Sequence, residues 1–329
     1  MRWFSCLQAL GAVTITAVVF ILPPSPLSPL ADQVPSYVEA LPPPVQVQVE
    51  EAPAAVQWKR GLVAWKSRNF ALAAAHFAAI AQSRQDLSAM ELAAASFWAW
   101  RAKERTGDAD GERHLAAAAA FPHTFYGMLA RKQRGESLKD RTAVIYSMPR
   151  WSPSGGFRID PALIFAFAKE ESDLHVDAMG SGGAIGLMQV MPETARHVLH
   201  REPDDVLDEA VLAEPRTNLQ LGQAYLRQLL EDDNIDGNLI YLAAAYNAGP
   251  GTLARWQTAA RYADDPLLFL ETLPSSRTRA YVMRVMANYW AYQEAGGRIA
   301  ESALALAKGN WPRYNAEGWQ PPARHAHAG

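Results

Sequence analysis

Cysteine is almost missing from this chain. Cys6 is the only one in 329 residues, which excludes an intrachain disulfide framework and a thiolate metal cluster. Long basic runs are missing too. With a formal net charge of −3 and both signs interspersed, there is no electrostatic ground for a nucleic-acid partner. Between Val56 and Ala307 no stretch alternates apolar and polar residues as a half-buried strand does, so the fold is expected to be all-α. What the chain does have is 49% hydrophobic residues, enough to fill the core of one large or two ordinary domains.

The apolar run from Trp3 to Leu22, WFSCLQALGAVTITAVVFIL, carries no charge, follows Arg2 and leads into PPSPLSPLADQ. It reads as an export segment. Either it is a signal peptide ending near Ala31 or it stays as an anchor, since about 20 apolar residues span a bilayer. Cys6 precedes the apolar run instead of ending it, which argues against a lipoprotein. Residues 32–55 form a proline-rich linker, where missing amide donors favour extended backbone. Residues 56–150 are alanine-rich with large apolar residues three and four apart, as in WKRGLVAWKSRNFALAAAHFAAIAQS. That spacing predicts helices stacked as solenoid-like hairpins, punctuated by Gly107, Gly111 and Gly135. Their aromatic residues are expected in the core. Residues 151–295 carry the chemistry-bearing motifs, and residues 296–329 form a C-terminal extension. His325 and His327 follow two prolines in a tail expected to be disordered, so no metal site is assigned to them.

Asp160-Pro161 opens a helix in a favoured way, with a side-chain oxygen for free amides and a ring whose φ is already helical. The helix is predicted to run to about Ser172. At about 100° per residue, Leu163, Ile164, Phe167 and Leu174 share a face, and Lys169 points away. Glu170 and Glu171 both flank that face, and geometry alone does not choose between them. A carboxylate at the end of an apolar face loses hydration, which raises its pKa toward the working range of a general acid.

The following loop, MGSGGAIG from Met179 to Gly186, has glycines spaced like a phosphate loop. A dinucleotide fingerprint requires a preceding strand, and the residues before this loop carry a helix pattern. Glycines also let backbone approach a bulky ligand. Gln189, set between Met188 and Met191, offers an amide within an apolar wall, which suits a sugar face.

The Glu-Ser pair followed by G-A-I-G-L-M-Q-V-M-P resembles the soluble lytic transglycosylases, relatives of goose-type lysozyme. Downstream, Ala244-Ala-Tyr-Asn-Ala-Gly-Pro-Gly251 is similar to that family's A-Y-N-A-G-x-G motif. Phe269-Leu-Glu-Thr-Leu-Pro274 with Thr278-Arg-Ala-Tyr281 resembles its F-x-E-x-[IL]-P and T-R-x-Y segments. Phe121 to Ala130, FPHTFYGMLA, looks like the end of the helical superhelix that precedes the catalytic domain in long soluble members. The resemblance implies a solenoid-like segment followed by a lysozyme-like α-helical catalytic domain. It assigns the catalytic acid to Glu171 and substrate binding to Ser181, Gln189, Met191, Tyr246, Asn247 and Glu271. It further implies peptidoglycan glycan strands as the partner, a periplasmic location, soluble or held at the inner membrane, and no cofactor or metal. Two positions depart from the family pattern. Gly180 stands where many members have serine, and Arg277 stands where members commonly have an acid.

Most glycosidases use two carboxylates. The resemblance implies one: Glu171 protonates the glycosidic oxygen between N-acetylmuramic acid and N-acetylglucosamine, then accepts the proton of the C6 hydroxyl as that oxygen attacks C1. A 1,6-anhydro end results. The alternatives are a goose-lysozyme-like hydrolase on the same fold and an inactive cell-wall-binding or solenoid adaptor protein.

Overall fold

Small residues at the contact points let the first five helices lie close together. In the computed structural model, which describes residues 48–83, 87–138, 146–180, 182–200, 202, 208–259, 265–315 and 319, these are α1 (Ala54–Lys66), α2 (Phe70–Ser83), α3 (Ala89–Thr106), α4 (Gly111–Ala119) and α5 (Phe125–Gln133). Each packs on the next. Ala73, Ala93, Ala95, Ala99 and Ala102 are fully buried at these crossings. Local signals set the ends. Ser88 and Glu91 form a reciprocal capping box at the start of α3, and Gly107, at φ 71°, closes its end in the left-handed conformation. Most of the aromatic residues here are core and the rest pack partly buried against it: Trp98 is fully buried, with ring centroids of Trp65 at 5.0 Å and Phe77 at 5.5 Å.

Gly127 in α5 shows how tight this packing is, because a Cβ there would run into the backbone carbonyl of Phe121. Backbone cannot step aside as a flexible side chain can. Gly127→Ala is expected to destabilise the chain by about 2 to 4 kcal/mol, checked by urea unfolding at constant m-value.

The remaining helices are α6 (Pro161–Ser172), α7 (Pro192–Val198), α8 (Glu209–Ala213), α9 (Pro215–Glu231), α10 (Leu239–Ala248), α11 (Pro250–Ala259), α12 (Pro266–Glu271), α13 (Ser276–Ala295) and α14 (Glu301–Ala307). No strand occurs among the described residues; the glycine loop carries only isolated bridges, Met179 with Ile185 and Ile185 with Val190. The fold is all-α. Among the same residues no helix is long and apolar enough to cross a membrane. The apolar run from Trp3 to Leu22 and the tail with His325 and His327 lie outside the described residues, as does most of the proline-rich linker.

Helix α6 is deeply buried. It packs along α13, and every residue from Ala162 to Ala168 is buried. The single apolar face drawn from the sequence is therefore too narrow, since this helix is enclosed on all sides. Leu174 leaves that face altogether: the helix ends at Ser172, and Asp173 and Leu174 turn away with φ of 50° and 66°.

The start of α6 is fastened by Asp160, only 1% exposed. Its Oδ1 accepts the Ala162 amide at 2.9 Å. Arg298 donates to both carboxylate oxygens at 2.7 Å, and the Tyr289 hydroxyl donates to Oδ2 at 3.1 Å. In the C-terminal extension, α14 packs against α5, and Ser302 accepts a hydrogen bond from Trp290 Nε1 at 3.0 Å.

Candidate active site

The deep burial of α6 brings its last turn, with both glutamates, to the edge of the core. They meet different partners there. Glu170 is clamped by Arg284 of α13, whose Nε and Nη2 reach its carboxylate at 2.6 to 2.9 Å. Among the described residues no cation is bonded to Glu171. Its Oε1 accepts the Tyr281 hydroxyl at 2.5 Å. Burial raises its pKa most, the Tyr281 hydrogen bond pulls it down, the Glu170 charge raises it and Arg277 lowers it; together these bring it to about 7. Of two adjacent carboxylates, one is paired with a guanidinium and the other is poised to hold or release a proton near neutrality.

Aromatic rings form the surroundings of Glu171. Phe167 lies 4.8 Å from the ring of Tyr246 and 6.4 Å from that of Tyr281. Burial first, and the charge of Glu171 second, hold both tyrosines protonated far above their ordinary range. Tyr281 is thus a fixed donor to the acid. The Tyr246 hydroxyl instead donates to the Met188 carbonyl at 2.8 Å, tying α10 to the glycine loop. Asn247, next to it, accepts from Thr278 Oγ1 at 2.9 Å and joins the end of α10 to the first turn of α13.

The loop is a small closed structure. The Ser172 hydroxyl donates to the Leu187 carbonyl at 2.8 Å, fixing the loop to the acid-bearing helix end. Ile185 and Val190 exchange backbone hydrogen bonds at 3.2 and 3.0 Å. Gln189, at φ 44°, donates its amide to the carbonyls of Ala178 and Gly186, each at 3.0 Å. Asn218 of α9 is fully buried beneath them. It donates to the Ile185 and Leu212 carbonyls and accepts from the Met188 amide, all at 2.8 Å. Gly186 is required here, because its φ is 74° and a Cβ would strike the Asn218 amide.

The expected site residues separate accordingly. Glu171, Tyr246 and Gln189 are brought to one region, but the Gln189 amide nitrogen is spent on the loop itself, and Met188 is buried. Met191 stays half-buried at the start of α7, where its methyl group would lie 3.7 Å from a Cβ on Gly182. Ser181 lies outside the described residues. Glu271 is a correction: expected to line a groove, it is 7% exposed and accepts the Tyr126 hydroxyl at 2.5 Å. Its motif position reflects packing between α5 and α12, a contact that short-range spacing does not display.

Both departures from the family pattern have a physical setting. A side chain on Gly180 would collide with Gln189 Oε1, so a serine would have to displace the amide that locks the loop. Arg277 is exposed on the first turn of α13, one turn before Tyr281, and its charge lowers the Glu171 pKa. Three residues of the region were not assigned roles from sequence. Tyr281 had a usable signal in the T-R-A-Y segment, Arg284 follows it by three positions, and Asn218 is an amide amid the leucines of α9.

Residues 152–269 match the family model described as the transglycosylase SLT domain. The soluble lytic murein transglycosylase of Salmonella typhimurium is 34% identical over 158 residues, covering 48% of this chain and 24% of that protein. A membrane-bound lytic murein transglycosylase C of Histophilus somni is 30% identical over 151 residues, covering 40% of this chain and 41% of that one. The 70 kDa soluble lytic transglycosylase from Escherichia coli, a solved structure, matches over 80% of this chain and 39% of its own at 23% identity and a TM-score of 0.42. The chain spans about a quarter of the length of the soluble relatives it matches.

Proposed function

We propose, on the premise that residues 152–269 belong to the transglycosylase SLT family, that this chain cleaves the β-1,4 bond between N-acetylmuramic acid and N-acetylglucosamine in peptidoglycan without consuming water. The observation that carries the reading is the state of Glu171: half-buried, touched by Tyr281, and titrating at about 7. Such a group can donate a proton and then take one back at the same pH.

In the first step Glu171 gives its proton to the glycosidic oxygen as the C1–O bond breaks, and charge develops at C1. The muramic acid 2-acetamido group or ring oxygen stabilises that charge. In the second, the C6 hydroxyl oxygen bonds to C1 and its proton returns to the Glu171 carboxylate, closing a 1,6-anhydro ring. The nucleophile belongs to the substrate and is already held near the reacting carbon. The two-carboxylate route has little support, because Glu170 is engaged by Arg284 and Glu271 is buried against Tyr126. Met191 and Asn247 are assigned to the groove wall, Gln189 and Tyr246 to holding the loop beside the acid, and Tyr281 to positioning Glu171. The N-terminal run delivers the protein to the periplasm, as a signal peptide or an anchor. Residues 56–150 form a helical domain and residues 151–295 the catalytic one.

Mass spectrometry of sacculi digested by the purified chain tests this. Anhydromuramyl ends are the expected product; reducing ends would replace the proposal with hydrolysis, and undigested sacculi would remove the enzyme reading. A finer test concerns Tyr281→Phe. Losing a hydrogen bond that stabilises the carboxylate raises the Glu171 pKa, so the alkaline limb of the rate profile should move above about 7. The rate at the optimum should fall roughly tenfold as the acid loses its orienting partner. An unmoved limb would show that Tyr281 does not set the titration of Glu171.

A further inference from the structure

On the side of the molecule formed by α1, α3, α14 and the start of α12 lies a cavity of about 680 Å³, a size suited to a small ligand. Its inner wall holds Arg101, whose guanidinium lies 4.6 Å from the ring centres of both Trp65 and Trp98. Asp265 fixes one end of that guanidinium, accepting from Nη2 at 3.1 and 3.2 Å. The same carboxylate also accepts Trp65 Nε1 at 3.0 Å and caps α12 through the Leu267 and Leu268 amides at 3.1 Å. Its capacity is used. Arg101 and Gln133 both line the cavity; Arg101 Nη1 is buried without an acceptor, and Gln133 Oε1 is buried without a donor, among the described residues.

A buried donor and a buried acceptor, both unpartnered and carried by residues of one cavity lining, suit a ligand that supplies both complements. The charge around the opening says which kind. Arg68, Arg105 and Lys308 are exposed on its lining with one carboxylate, Glu104, and Arg105 leans over the Phe70 ring at 5.1 Å. The ligand is therefore an anion that also carries hydroxyl or amide donors.

We propose that this cavity is a second, non-catalytic site for a peptide-bearing muramyl unit, with carboxylate oxygens toward Arg101 Nη1 and the rim cations and an O–H or N–H toward Gln133. The muramyl assignment rests on the peptidoglycan reading above. The site is separate from Glu171, so it holds strand or released fragment while the acid works elsewhere.

The test uses the full chain carrying Glu171→Gln, so that nothing turns over, titrated calorimetrically with a soluble N-acetylglucosaminyl-N-acetylmuramyl peptide. Two binding events are expected. Adding Arg68→Glu and Lys308→Glu, both exposed, should weaken one event at least tenfold and leave the other and the Tm unchanged. Equal affinity in the charge-reversed protein would overturn the site. A neutral N-acetylglucosamine oligomer binding there equally well, or inorganic phosphate displacing the muropeptide at equal concentration, would overturn the muramyl assignment. Because binding is read on the unreactive variant, failure here is distinguishable from failure to digest sacculi.

Discussion

Glu171→Gln should lower glycan cleavage by about three orders of magnitude while the protein stays folded. Positioned proton transfer contributes typically 10²- to 10⁴-fold, and the proposed mechanism gives one residue both the acid and the base role. Glutamine keeps the shape and still accepts the Tyr281 hydrogen bond, but has no proton to give. The same substitution alters stability in a pH-dependent way. The Glu171 pKa rises from 4.5 to about 7 on folding, so between those values the native chain binds more proton than the unfolded one, and stability falls as pH rises. Two and a half pKa units bound this cost at about 3 kcal/mol, less what partial solvent screening removes. The variant should therefore match wild type near pH 4 and exceed it near pH 8, by denaturant titration at both. A rate within tenfold of wild type would refute the acid role; equal stability of the two proteins at pH 8 would refute the desolvation account.

Asp160→Ala should cost about 3 to 5 kcal/mol, a large part of the 5 to 15 kcal/mol that holds a typical domain folded. The loss has two sources. Arg298 would be left facing a cavity without its carboxylate, and the first turn of α6 would lose its cap, itself worth about 1 kcal/mol. Asp160→Asn should fall between, since an amide still caps the helix but pairs poorly with guanidinium. Urea unfolding midpoints measure both. A change under 1 kcal/mol for alanine would mean that the arginine finds water and that α6 is held by its apolar contacts alone.

What could be read from the sequence is what local chemistry writes. Asp160-Pro161 marks the start of α6, the alanine spacing marks α1 to α3, and Gly107 marks a helix end, because each acts within a turn of itself. The choice between Glu170 and Glu171 is different. It depends on Arg284, more than a hundred positions away, taking one carboxylate and Tyr281 touching the other, so only the family motif could break the tie beforehand. Glu271 went astray for the same reason, its partner Tyr126 being 145 positions away. The uniform burial of α6 escaped a helical projection because alanines at Ala162, Ala166 and Ala168 do not announce which side another helix covers.

The proposed boundary at residue 150 marks a change in composition but not in cohesion. Trp98 Nε1 donates to the Tyr126 oxygen at 3.0 Å, and that hydroxyl to Glu271; Phe125 stacks on Trp290 at 5.2 Å; Lys132 pairs with the buried Glu294. These dowels run from α3 and α5 into α12 and α13, the latter being the helix that carries Tyr281 and Arg284. The helical stack therefore cannot swivel like a bead on a string, and whatever grips its outer face also fixes the attitude at which Glu171 is presented.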